Sequence, residues 1–97
     1  MTLDEIQKRV YANKLNKGFN VTNVEKEFCL LYGEIGEAFE AYRKKKDDLG
    51  GELADVAIFL LGLSEILGCS LQSEIERKMA INEKRNYTDK NGVLSKD

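Results

Sequence analysis

Residues Leu53 to Leu63 read LADVAIFLLGL, and each is apolar or glycine except Asp55. A helix that is apolar on all sides has no face to offer to solvent, so it has to lie among other helices. It is much shorter than the roughly 20 apolar residues that a membrane span requires. The stretch therefore demands a helical bundle around it, and it leaves one carboxylate, three residues after another at Glu52, to be accounted for.

The rest of the chain supports an all-α reading. It has 97 residues, 42% hydrophobic and 33% charged, and no proline to break a helix, which fits one folded domain. A first helix is expected from about Thr2 to Lys17, with Leu3, Ile6, Val10 and Leu15 as its apolar stripe and Gly18 as its stop. A second is expected from Thr22, where TNVE fits a capping box with Glu25, to about Lys45. Val24, Phe28, Leu31, Ile35, Ala38, Phe39 and Tyr42 repeat along it at three- and four-residue steps. The third runs from about Gly51 to Leu67. The fourth starts after an N-cap at Ser70 and ends near Asn86. No strand-like alternation is evident. Residues 1–87 form the expected domain, and 88–97 a polar, mobile tail.

Two carboxylate pairs stand out. Glu34 and Glu37 on the second helix, and Glu52 and Asp55 on the third, are each spaced i,i+3, so each pair shares a helix face. Like charges at that spacing repel, and burying them is costly. A short glycine-containing turn joins the two helices, so the pairs are expected to face each other and to require a cation. Four oxygen donors suit Mg²⁺, with Mn²⁺ as the alternative, rather than zinc. Gly33 and Gly36 thin the helix surface beside Glu34. On the fourth helix Lys78, Asn82 and Arg85 form one i, i+4, i+7 stripe, a candidate phosphate clamp.

Other classes are disfavoured. There is no histidine, so imidazole acid–base chemistry is excluded. A net charge of −2 gives no basis for nucleic-acid binding. The two cysteines, Cys29 and Cys69, lie in no metal-ligand spacing and are expected as buried free thiols in a reducing compartment. The charged start MTLDEIQKRV has no signal-peptide character, so a cytoplasmic protein without a membrane partner is expected.

GEIGEAFEAYRKKKDDLGGELADV resembles the ExxE…ExxD signature of the MazG-like all-α nucleoside triphosphate pyrophosphohydrolases, which include relatives of dCTP pyrophosphatase, dimeric dUTPase and phosphoribosyl-ATP pyrophosphatase. The 14 residues between Glu37 and Glu52 fit the family's spacing. KMAINEKRNY resembles its downstream K-x-x-x-N-x-x-R segment. The resemblance spans about Leu3 to Tyr87. It implies a four-helix fold completed by packing into a homodimer or homotetramer. It implies Mg²⁺-dependent hydrolysis of a nucleoside triphosphate to the monophosphate and pyrophosphate. Glu34, Glu37, Glu52 and Asp55 would be the metal ligands, with Glu34 or Glu37 as general base. Lys78, Asn82 and Arg85 would hold the triphosphate, and Phe59 and Phe19 would approach the base. A phosphoribosyl-ATP pyrophosphatase, a non-catalytic nucleotide- or metal-binding regulator, and a purely structural helical module are the alternatives. The family often has an acid where Gly33 stands, and the tryptophans that shape some base pockets are absent here, so the base stays open.

Overall fold

Thr2 opens the chain's first helix because its hydroxyl can take an N–H that no helical carbonyl reaches. It accepts from the Glu5 amide at 3.1 Å while the Glu5 carboxylate accepts from the Thr2 amide at 3.4 Å, a complete capping box. The computed structural model describes residues 1–85, 87–90 and 93–96. It contains α1 (Leu3–Asn16), α2 (Val24–Arg43), α3 (Leu49–Ile66), α4 (Leu71–Lys84), β1 (Tyr87–Lys90) and β2 (Val93–Lys96).

The four helices match the sequence expectation to within about two residues at each end, except that the expected end of the fourth, near Asn86, lies outside the described residues. The α2 cap does not match. Asn23, rather than Thr22, takes the Lys26 amide, at 3.1 Å. The reason lies one turn back, where the Asn20 side chain accepts from the amides of Thr22 at 3.4 Å and Asn23 at 3.1 Å and holds Thr22 in the loop. Asp48 caps α3 through the Gly51 amide, and Ser70 caps α4 through the Ser73 amide. β1 and β2 pair antiparallel, with Tyr87 opposite Lys96 and Lys90 opposite Val93, although no hydrophobic alternation marks them.

α3 is the central element and packs along both α2 and α1, while α4 rests on α1. Small residues allow the close approach. Among the described residues, Ala38 and Ala41 of α2 and Leu61 and Leu63 of α3 are the buried hydrophobic side chains. Gly62 lies against α1, where an added Cβ would come within 3.2 Å of the Lys14 side chain.

The α1 stripe is partly polar. Leu15, expected inside, is 53% exposed, whereas Gln7 and Lys14 are buried. Gln7 clasps the corner between α3 and α4. Its amide donates to Glu65 at 3.0 Å and to the Cys69 carbonyl at 2.7 Å, and its oxygen accepts from the Leu71 amide at 3.1 Å. Both cysteines are free, as expected, but exposed rather than buried, because Cys29 faces outward on α2 and Cys69 sits in the α3–α4 turn. Among the described residues no single helix is long and apolar enough to cross a membrane.

Candidate active site

The pairing of α2 with α3 brings the acids together. One carboxylate oxygen each from Glu34, Glu37 and Glu52 lie within 4.8 Å of one another. Acidic clusters on a surface are ordinary, but this one has an interior part. Oε2 of Glu34 and Oε2 of Glu52 are shut off from solvent without a hydrogen-bond partner. A buried polar atom left unpaired costs about 1–3 kcal/mol, and more when charged. The ion pairs among the described residues do not involve these acids. Burial pushes the Glu34 carboxyl above its ordinary value of 4.5, and the charges of Glu37, Asp55 and Glu52 push it the same way. All-oxygen donors with orphaned lone pairs fit a hard divalent cation.

Asp55 stands slightly apart. Its charge reaches Glu34, but it is outside the trio and exposed to solvent. The sequence placed it deep in an apolar helix. The apolar residues beside it are themselves uncovered in the single chain, Leu53 being 56% and Ile58 44% exposed.

Glu37 and Glu52 open onto a cleft of about 700 Å³ that also meets Gly36, Glu40, Lys44 and Lys46. No atom lies within 4 Å of where a Cβ on Gly33 or Gly36 would sit, so that surface is open to a ligand.

A second cleft, of about 550 Å³, lies between α1 and α3 and has Phe19 and Phe59 among its walls. The two aromatics singled out from the sequence therefore share one opening. Phe59 follows Asp55 by four residues on α3, about 6 Å along the axis at 1.5 Å per residue. Lys14 lies in the same wall with its Nζ 5.6 Å from the centre of the Phe59 ring. Its ammonium is ion-paired with Glu27, whose other oxygen accepts from the Asn20 side-chain Nδ2 at 3.1 Å. Lys14, Glu27 and Asn20 were not singled out in the sequence. The available signal was the seven-residue step between Gln7 and Lys14, which places both on one face of α1.

The α4 stripe is elsewhere. Lys78 and Asn82 are exposed, and Arg85 donates to Asn82 Oδ1 at 3.1 Å. None of the three lines the acidic or the aromatic cleft.

No family model matches the chain. A curated relative, a dATP/dGTP diphosphohydrolase of Salmonella phage PMBT28, is 40% identical over a 58-residue alignment covering 53% of this chain and 20% of the relative. The chain thus spans about a fifth of that relative's length. A solved structure, the cyanophage S-2L MazG-like pyrophosphohydrolase bound to dGDP and three catalytic Mn²⁺ ions per active site, superposes with a TM-score of 0.72 at 28% identity. The match covers 100% of this chain and 98% of that one. The chain is thus similar over its full length in fold to a MazG-like pyrophosphohydrolase, and over part of its length in sequence to a dATP/dGTP diphosphohydrolase.

Proposed function

We propose that the chain hydrolyses a purine deoxynucleoside triphosphate to the monophosphate and pyrophosphate with a divalent metal, Mg²⁺ or Mn²⁺, as part of nucleotide-pool housecleaning. The observation that carries this reading is the trio Glu34, Glu37 and Glu52 with two buried, unpartnered carboxylate oxygens. Glu34, Glu37 and Glu52, with Asp55 at the edge, would hold the metal. Bound there, it would neutralise phosphate charge and lower the pKa of an attacking water. Glu37, exposed at the cleft, or Glu34 would take the proton from that water at a carboxylate oxygen. Phe19 and Phe59 would flank the base. The purine assignment leans on the relative named for dATP and dGTP and on the neighbour's dGDP.

Lys78, Asn82 and Arg85 are proposed as triphosphate contacts, which in this arrangement calls for a second copy of the chain. The exposed apolar residues support such a copy. Phe39 is 59% exposed on α2 and Met79 54% on α4, and no α4 residue is buried. We expect a homodimer or homotetramer, and a single species of 11.0 kDa in sedimentation at micromolar concentration would reject it.

The deciding experiment is pyrophosphate release over a panel of ribo- and deoxynucleoside triphosphates, with Mg²⁺, Mn²⁺ or chelator, beside Glu37→Gln. Metal-dependent release lost in the variant is the expected result. Silence across the panel with retained metal binding would replace this reading with phosphoribosyl-ATP hydrolysis or a binding-only role.

A further inference from the structure

Lys14 differs from the other polar residues in the wall of the aromatic cleft, Arg9 and Asn13, in being buried. It is buried, on the helix face that packs against α3, and its stem is pinned over Gly62. An ammonium carries three N–H donors. Among the described residues one acceptor meets them, Glu27 Oε1. Glu27 is in turn fixed by Asn20 Nδ2 at 3.1 Å, so the ammonium is held in place from behind. On its open side lie the Phe59 ring at 5.6 Å and the cleft that Phe59 shares with Phe19. A cleft that holds two aromatic rings, with a preorganised, donor-only cation over one of them, selects a ligand whose acceptors can reach that ammonium.

We infer that Lys14 is a specificity-determining residue that reads the base and favours a 6-oxopurine over adenine. The inference rests on the nucleotide reading above and deepens it. Guanine presents O6 and N7 side by side, two acceptors for the spare ammonium hydrogens. Adenine replaces O6 with an amino donor, which would face another donor and leave a buried cation short of an acceptor. The geometry also suits a nucleotide whose phosphates reach the acids. Phe59 lies seven residues beyond Glu52 on α3, about 10 Å along the axis, so base and phosphate ends fall on one side of one helix. Loss of such an edge contact corresponds to roughly ten- to a hundredfold in affinity.

Calorimetry on the full chain with Mn²⁺ tests this through binding, independently of turnover. The probes are dGDP, dIDP, 7-deaza-dGDP and dADP. We expect dGDP and dIDP, which share O6 and N7, to bind alike. We expect 7-deaza-dGDP, which lacks N7, to bind more weakly, and dADP roughly ten- to a hundredfold more weakly. The double variant Lys14→Met/Glu27→Gln removes both charges, so neither is stranded, and should bring the dGDP-to-dADP ratio close to unity. Should that variant not fold by circular dichroism, the four-ligand series on the native chain decides alone. Equal binding of dGDP and dADP, no binding of any of the four, or an unchanged ratio in a folded double variant would overturn the inference. The two readings separate cleanly. A strong dGDP preference without pyrophosphate release from any triphosphate would sink the proposed hydrolysis and leave the base reading. Metal-dependent hydrolysis of dATP and dGTP at equal rates, with equal binding of their diphosphates, would do the reverse.

Discussion

Glu27 and Glu34 stand seven residues apart on α2, and both put carboxylate oxygens where water does not reach. They are treated in opposite ways. Glu27 is the more buried, at 2% exposure, and it is satisfied, with Lys14 and Asn20 as donors. Glu34 shares its surroundings with Glu37, Glu52 and Asp55, and its Oε2 has no partner. Burial by itself therefore does not mark the functional acid. What marks it is burial without compensation. The Glu27 carboxylate is complete as it stands, and the Glu34 end is complete only with a cation.

The largest effect should come from breaking the complete end. Lys14→Met strands Glu27 in an apolar junction, and removal of one partner from a buried ion pair costs about 3–5 kcal/mol. Denaturant unfolding in chelator should show a loss of that order. A loss below about 1 kcal/mol would mean that the pair behaves as a solvated surface pair, and the contrast between the two ends would collapse.

The incomplete end should respond the other way. Glu52→Gln removes one of the crowded charges. Metal-dependent hydrolysis should fall on the order of a hundred- to a thousandfold, the scale of losing one stabiliser of developing charge. The metal-free chain should be as stable as before or more so, because repulsion is relieved. Asp55→Asn is expected to follow the same pattern, with a smaller gain in stability because Asp55 is exposed. A large metal-free destabilisation from either change would show that the acids hold the fold rather than a ligand.

The two ends were also unequally legible. The i,i+3 carboxylates could be found because four acids on two apolar helices violate the pattern around them. The Lys14–Glu27 pair could not, because a lysine and a glutamate thirteen residues apart look like ordinary solvated residues, and only the tertiary approach of α1 to α3 over Gly62 buries them. The same cause misplaced Leu15, since the face of α1 turned toward α3 carries Gln7 and Lys14. Caps were legible where one side chain decides, as at Ser70. At the α2 entrance three polar residues, Asn20, Thr22 and Asn23, compete, and Asn20 settles the outcome through its contact with Glu27. The position of the α4 stripe relative to the acids depends on packing that one chain does not complete.

pH sharpens the comparison at a more modest scale. The folded-state pKa of Glu34 is raised above 4.5, mainly by burial and then by its acidic neighbours. Below 4.5 the carboxyl is protonated in folded and unfolded chains alike, and no penalty exists. As pH rises through the raised value, the folded state must ionise a group that its surroundings disfavour, so this contribution to stability is lost. Glu34→Gln escapes that penalty. In chelator its unfolding temperature should match the native chain on the acid side of 4.5 and exceed it on the alkaline side. Mn²⁺ should reverse the order for the native chain at the higher pH, because the metal takes the ionised form. A constant gap at all pH values would show that Glu34 does not titrate abnormally.

The smallest effect concerns the turn beyond the acids. Three helices end in a residue with positive φ. Gly18 at 69° closes α1 and Gly68 at 76° closes α3, but at the end of α2 the residue is Lys45, at 54°. The three ends make the same bond, from Phe19 to the Lys14 carbonyl at 2.8 Å, from Cys69 to Ser64 at 2.9 Å and from Lys46 to Ala41 at 2.9 Å. Glycine takes this conformation without the Cβ clash that a lysine carries. Lys45→Gly should therefore stabilise the chain by about 0.5–1 kcal/mol, less than the clash itself because glycine also loosens the unfolded chain. Lys44 and Lys46, its neighbours, line the acidic cleft and Lys45 does not, so hydrolysis should stay within about twofold of the native rate. A gain in stability together with a tenfold fall in rate would mean something else. It would mean that the strained turn sets where Lys44 and Lys46 stand over the cleft, and that the incomplete end of α2 holds backbone strain as well as unpaired charge in readiness for its ligand.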